Sequence, residues 1–74
     1  MMEQFIEQFI EQFIDADEIT VEKDTKFRHI DSYDSLTGMA IILMIEDEYG
    51  VKIEDDVYKK LNTPEEIFNF INQQ

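Results

Sequence analysis

The chain opens on a tetrad repeat: Glu3-Gln4-Phe5-Ile6, Glu7-Gln8-Phe9-Ile10 and Glu11-Gln12-Phe13-Ile14. At about 100° per residue, a four-residue repeat drifts slowly around a helix. The phenylalanines and isoleucines then fill one half of the circumference and the Glu-Gln pairs the other. A coiled-coil seam needs a period of about 3.5, which this repeat lacks. The pattern predicts an amphipathic helix over residues 2–14 whose apolar half is core. From Asp15 to Asp31 the periodicity fades, and Val21 and Phe27 stand alone among polar residues. That stretch reads as a long loop pinned to the core at those two positions.

A second helix is predicted over residues 35–49. Asp34 is a good N-cap, Asp31 and Ser32 are turn residues, and Gly50 is a usual stop. Gly38 inside it costs about 1 kcal/mol relative to alanine. Close helix packing would explain it, and so would access for something near Ser35. The run Met39 to Ile45 is apolar on every side. A helical wheel puts Gly38, Ile41, Ile42, Ile45 and Tyr49 on one side. Leu36, Met39, Ala40 and Leu43 fall opposite, on the side of Glu46 and Asp47. Acids mark solvent, so an exposed apolar patch with acidic neighbours is expected directly after Ser35, as at docking surfaces.

Val51-Lys52-Ile53 links onward to a short third helix over residues 55–61. Its acids come first and its lysines last, which suits the helix dipole, and Val57 and Leu61 should face inward. The last helix is expected over residues 64–72. Thr63 is its N-cap, Pro64 takes the first helical position and Glu66 completes a capping box. Ile67, Phe68, Phe70 and Ile71 form its apolar face. Nothing alternates long enough for a sheet. The expected fold is all-α: one domain over residues 1–74, a bundle of three main helices plus a short one third in order.

Size and charge narrow the function. A chain of 74 residues holds one small core and little room for an enclosed catalytic cavity. A binding or carrying role is expected rather than an enzyme. Without cysteine there is no disulfide, thiolate metal site or cysteine nucleophile. Any thiol has to be attached from outside. Eighteen acids against six bases leave a formal charge of −12. That field repels nucleic acid and anionic lipid and attracts basic proteins. The run Met39 to Ile45 is too short to cross a bilayer, and no basic segment precedes an apolar core at the start. A cytoplasmic monomer is expected.

Metal and nucleophile chemistry find little support. His29 is the only histidine and has no partner ligand in the pattern. Asp15 and Asp17 have the spacing of an EF-hand loop. However, Ile19 and Thr20 hold its third-ligand and glycine positions, and Lys26 stands where a bidentate Glu is needed. Ser35 as a nucleophile would need a base and an oxyanion hole. His29 is the only good base candidate, and no G-x-S-x-G elbow is present. At a helix start, instead, free N–H groups and the dipole favour a negative group on that hydroxyl.

Asp34-Ser35-Leu36 at the head of an apolar, acid-tipped helix resembles the phosphopantetheine attachment motif of the acyl carrier protein family. The tripeptide alone is weak; the layout around it strengthens it. The likeness takes in Val21 and Phe27, Glu46-Asp47-Glu48-Tyr49, Ile53, the short acidic helix, and Thr63 to Ile71. It implies a 4′-phosphopantetheine arm placed on Ser35 by a phosphopantetheinyl transferase, with Asp34 as the preceding motif residue. It implies acyl cargo held as a thioester for fatty acid, lipid or polyketide-type synthesis. Acyl-activating and synthase enzymes with basic surfaces would dock on Leu36, Met39, Ala40, Leu43, Glu46 and Asp47. Ile41, Ile42, Ile45, Phe68 and Ile71 would line an interior able to shelter acyl chains.

Three positions depart from the usual fatty-acid carrier. Ser32, followed by Tyr33, stands where a glycine is common. Thr37 and Ala40 replace acids, so the upper docking face is less acidic. The tetrad repeat replaces a first helix that commonly contains Lys or Arg. An aminoacyl or peptidyl carrier is the neighbouring alternative, and an unmodified helical interaction module is the alternative of another class. The charge itself carries a prediction. Self-repulsion at −12 destabilises the compact state, so added salt or millimolar divalent cations should raise the melting temperature by a few degrees. A melting temperature flat in salt would show that repulsion is not limiting.

Overall fold

The tetrad repeat winds into α1 (Met2–Ile10), which buries Phe5 and Phe9. The remaining helices are α2 (Ser35–Tyr49), α3 (Asp55–Tyr58) and α4 (Pro64–Asn72). The computed structural model describes residues 2–74, and among them there is no strand. The described residues are all-α, four helices in a small bundle, with α1 lying against both α2 and α4. No helix among the described residues is long and apolar enough to cross a membrane.

Ending α1 at Ile10 corrects the expected end at residue 14. The hydrogen bonds show how it stops. Glu11 N still donates to Glu7 O, four residues back, but Gln12 N reaches Phe9 O and Phe13 N reaches Ile10 O. That is the tighter three-residue spacing of a closing turn. Each tetrad carries the phenylalanine row further around the helix, so a regular continuation would swing Phe13 away from the core. The tightened turn keeps Phe13 buried against Phe9 and Tyr33. Ile14 is left outside.

The loop between α1 and α2 is pinned by Val21 and Phe27, as the pattern implied. Two short 3-10 turns, Ala16–Glu18 and Phe27–His29, give it local order. Phe27 is fully buried, with its ring 5.1 Å from that of Phe9 and 5.7 Å from that of Tyr33. Arg28 is not a solvated loop cation. It donates to Tyr58 O at 2.7 Å and Leu61 O at 2.6 Å, and its guanidinium lies over the Phe27 and Tyr58 rings. This anchor explains a second correction, since α3 stops at Tyr58 rather than residue 61. Lys60 and Leu61 make three-residue turns, and Arg28 takes up carbonyls there. Val57 and Leu61 are half-buried, while Tyr58 is the residue α3 buries.

Two caps form from local chemistry. Thr63 Oγ1 accepts from Glu66 N at 3.1 Å, with Pro64 at the head of α4. The returning half of the capping box differs by one residue: Glu66 Oε1 accepts from Asn62 N at 2.8 Å, not from Thr63 N. Gly50 ends α2 with φ 69°, a left-handed conformation that favours glycine. Ile41, Ile45 and Ile67 join Phe5, Phe9 and Phe27 in the fully buried centre.

The fold decides the role of Gly38: it permits close packing. A Cβ there would lie 2.6 Å from Tyr33 Oη. Tyr33 cannot move away cheaply, because its ring packs on Phe13 and Phe27 and its hydroxyl bonds Tyr58 Oη at 3.0 Å. Gly38→Ala should therefore lose about 1–2 kcal/mol, the overpacking cost exceeding the helix-propensity gain of about 1 kcal/mol. In a Tyr33→Phe background the same change should be neutral or stabilising. Urea melts of the four proteins in this cycle check it.

Candidate functional site

The start of α2 is built by Asp34. Its extended backbone turns the chain into the helix, and its Oδ1 accepts from Thr37 N at 2.9 Å and Thr37 Oγ1 at 3.0 Å. The first internal bond, Gly38 N to Asp34 O, closes at 3.0 Å. Thr37 is buried by this arrangement, so it serves the cap rather than a docking face. Upstream, Ser32 Oγ donates to Asp15 Oδ1 at 2.7 Å and ties the turn to the loop after α1.

Ser35 is thus the first residue of α2 and exposed. Its hydroxyl lies at the positive end of a helix of 15 residues. Beside it runs a surface groove of about 350 Å³ between α2 and α3, with Ser35 among its lining residues. An exposed hydroxyl, a helix N-terminus and an adjoining groove fit the attachment of a phosphodiester-linked arm. Nothing in the packing walls the serine in.

Downstream, α2 splits its two faces much as the wheel predicted. Ile41 and Ile45 are buried. Leu36, Met39 and Leu43 are exposed to 74%, 59% and 57%, which in an apolar row marks a surface rather than a core. Glu46 and Asp47 are exposed beside them, and Ala40 is half-buried in the row. Met44 is buried, which the wheel did not assign, and Ile42 is only half-buried. Ile14 is 93% exposed and lines a second groove together with Leu36, so the oily surface continues onto the end of the α1 segment.

The interior expected to shelter acyl chains is occupied by side chains. Ile41, Ile45 and Ile71 are buried, and Phe68 packs its ring 5.4 Å from that of Phe5. Tyr49 stands edge-on to Phe5 and donates to Gln8 Oε1. His29 is exposed. Among the described residues no group of three or more His, Cys, Asp or Glu is placed to hold a metal ion.

Sequence reasoning missed Tyr33, Tyr58, Arg28 and Ile14. Tyr33 had a signal, an aromatic directly before the capping aspartate. Arg28 had one too, as the cation next to the loop's buried phenylalanine. The other two depend on where the backbone turns.

Comparison with known proteins agrees with this geometry. The family model described as the phosphopantetheine attachment site matches residues 4–71. The chain is similar to an acyl carrier protein of Thermosynechococcus vestitus, 31% identical over 64 residues, with 80% of this chain and 79% of that protein covered. It is also similar to the actinorhodin polyketide synthase acyl carrier protein of Streptomyces coelicolor. That match is 43% identical over 49 residues and covers 66% of this chain but only 56% of that protein.

The cap carries a pH prediction. The Thr37 backbone N–H, and then its hydroxyl, hold the Asp34 carboxyl below its ordinary value of 3.8. A depressed acid contributes stability that is complete above its ordinary pKa and lost as pH falls through the depressed one. Asp34→Ala should therefore be less stable than wild type at neutral pH. The gap should narrow as pH drops below 3.8. Urea midpoints of both proteins at neutral and acid pH measure it, and a gap independent of pH would show that the charge does not matter.

Proposed function

The chain belongs to the acyl carrier protein family, whose members carry a covalently attached 4′-phosphopantetheine, and on that premise we propose that Ser35 bears the arm. The observation that carries this reading is the exposed hydroxyl at the first position of α2, next to the aspartate that caps the helix. Asp34 sets the direction of the helix and so the direction of the serine. First-turn N–H groups and the helix dipole receive the negative phosphodiester. When bound, the arm supplies a terminal thiol that holds acyl cargo as a thioester. The chain itself carries rather than catalyses.

The partners we propose are a phosphopantetheinyl transferase and the enzymes that load and elongate the cargo. Leu36, Met39, Ala40 and Leu43 offer them an apolar centre, and Glu46 and Asp47 offer an acidic edge for basic side chains. The net charge of −12 steers such partners from a distance. We read the cargo as acyl, of lipid or polyketide type. The likeness to a carrier named for a polyketide synthase supports the second.

Intact mass after incubation with coenzyme A and a broad-specificity transferase tests the assignment. Wild type should gain one phosphopantetheine and Ser35→Ala none. No gain by the wild type would sink the carrier reading and favour the bare interaction module. Leu36→Ala and Met39→Ala should slow arm transfer about tenfold in kcat/KM, the usual loss at a docking anchor, with little change in melting temperature.

A further inference from the structure

Two grooves adjoin the head of α2. Ser35 lines the one toward α3, and its two chain neighbours, Asp34 and Leu36, line the other, of about 370 Å³. This second groove is also lined by the chain around the end of α1, Glu11 to Ile14. Ile14 and Leu36 are the two most exposed large apolar residues among those described, and they share this one groove although they come from different segments. Ile14 is held from both sides. Phe13 before it is buried against Phe9 and Tyr33, and Asp15 after it accepts from Ser32 Oγ at 2.7 Å. A side chain between two fixed neighbours has little backbone freedom left to lose, so a partner covers its apolar surface at a small ordering cost.

The groove also carries charge of one sign. The first turn of α2 holds no acid, and Thr37 is buried in the cap. The carboxylates near Leu36 come instead from Asp34 and from Glu11, both exposed, and none of the chain's six basic residues lines the groove. Its complement is therefore an apolar side chain with a lysine or arginine beside it. Enzymes that work on the cargo meet it at the far end of a flexible arm. The transferase must instead close over the Ser35 oxygen itself. That oxygen forms a bond to phosphorus of coenzyme A as the pyrophosphate bond breaks, the adenosine bisphosphate leaves and the serine proton passes to the enzyme. An enzyme closed over that oxygen also covers Asp34 and Leu36, and with them the groove they line.

We propose that the groove between the end of α1 and the head of α2 is a docking site for the phosphopantetheinyl transferase, which seats an apolar side chain between Ile14 and Leu36 and a basic one against Glu11. The proposal rests on the carrier reading, with Ser35 as the modified residue. It gives the end of the tetrad repeat a role in recognition, with Phe13 facing the core and Ile14 facing the partner. The Ser32–Asp15 bond belongs to the same arrangement, because it ties the segment that bears Ile14 to the turn that leads into α2.

The test follows intact mass over time for the full chain with coenzyme A and a broad-specificity transferase. Ile14→Ser should raise KM for the carrier about tenfold at unchanged kcat, the pattern of a lost docking contact. Its melting temperature should match wild type, since the side chain is 93% exposed. Ile14→Val should restore most of the rate. Glu11→Gln should lower kcat/KM about threefold, as loss of a rim charge does, and flatten its fall with added salt. Ser32→Ala, which frees Asp15, should also raise KM, with no further loss when combined with Ile14→Ser. Arm transfer to Ile14→Ser at the wild-type KM overturns this proposal and leaves the carrier reading standing. If cargo loading on the armed variant is slowed instead, the groove belongs to a cargo enzyme. A wild type that accepts no arm overturns the carrier reading and this proposal with it.

Discussion

The packing around Phe27 is the contact on which the remaining arrangement depends. One buried ring in the first loop touches Phe9 of α1, Tyr33 just ahead of α2, and Tyr58 of α3. The next residue, Arg28, lays its guanidinium over two of these rings and donates to two carbonyls at the end of α3. Ordering a long loop costs about 1–2 kcal/mol per residue in backbone entropy. A single aromatic and a single forked cation offset much of that by tying the loop to α1, to α3 and to the residue that leads into α2. The order then passes along the chain. Tyr33, held against Phe27, directly precedes the capping Asp34, so the packing of the loop sets where α2 starts and which way Ser35 faces.

The helix that follows serves two environments. Its inner face supplies Ile41, Met44 and Ile45 to the core, and its outer face shows Leu36, Met39 and Leu43 to solvent. An ordinary surface helix would be polar outside. This one keeps an apolar outer row, and acids gather only toward its C-terminal end. The exposed row is an association hazard in a neutral protein. With a net charge of −12, copies of the chain repel one another, while basic partners are drawn in. Like charge thus opposes the self-association that an exposed apolar row invites.

Much of the site was legible because its signals are local. Asp34, Gly50 and Thr63 act within one turn of their own positions, so residue type and spacing were enough to place the caps. The two faces of α2 followed from the wheel once Glu46 and Asp47 marked the solvent side. The errors came where a distant contact overruled the local pattern. The tetrad repeat continues unbroken to Ile14, yet α1 stops at Ile10 because Phe13 is held by Phe9 and Tyr33. Glu66 fits a capping box, but its carboxylate finds Asn62 N instead of Thr63 N. Arg28 bonds Tyr58 O and Leu61 O, 30 and 33 residues further on, which no local pattern marks.

By itself the sequence determined the helical class, the caps and the serine at the head of an apolar helix. Each of these is a matter of hydrogen bonds and periodicity among residues within a few positions of one another. Only the tertiary structure decided that Tyr33 and Tyr58, 25 residues apart, share a hydrogen bond beside Gly38 and line the groove that Ser35 also lines. No periodicity encodes such a pair. It exists because Tyr33 of the loop and Tyr58 of α3 are packed against one buried ring, that of Phe27.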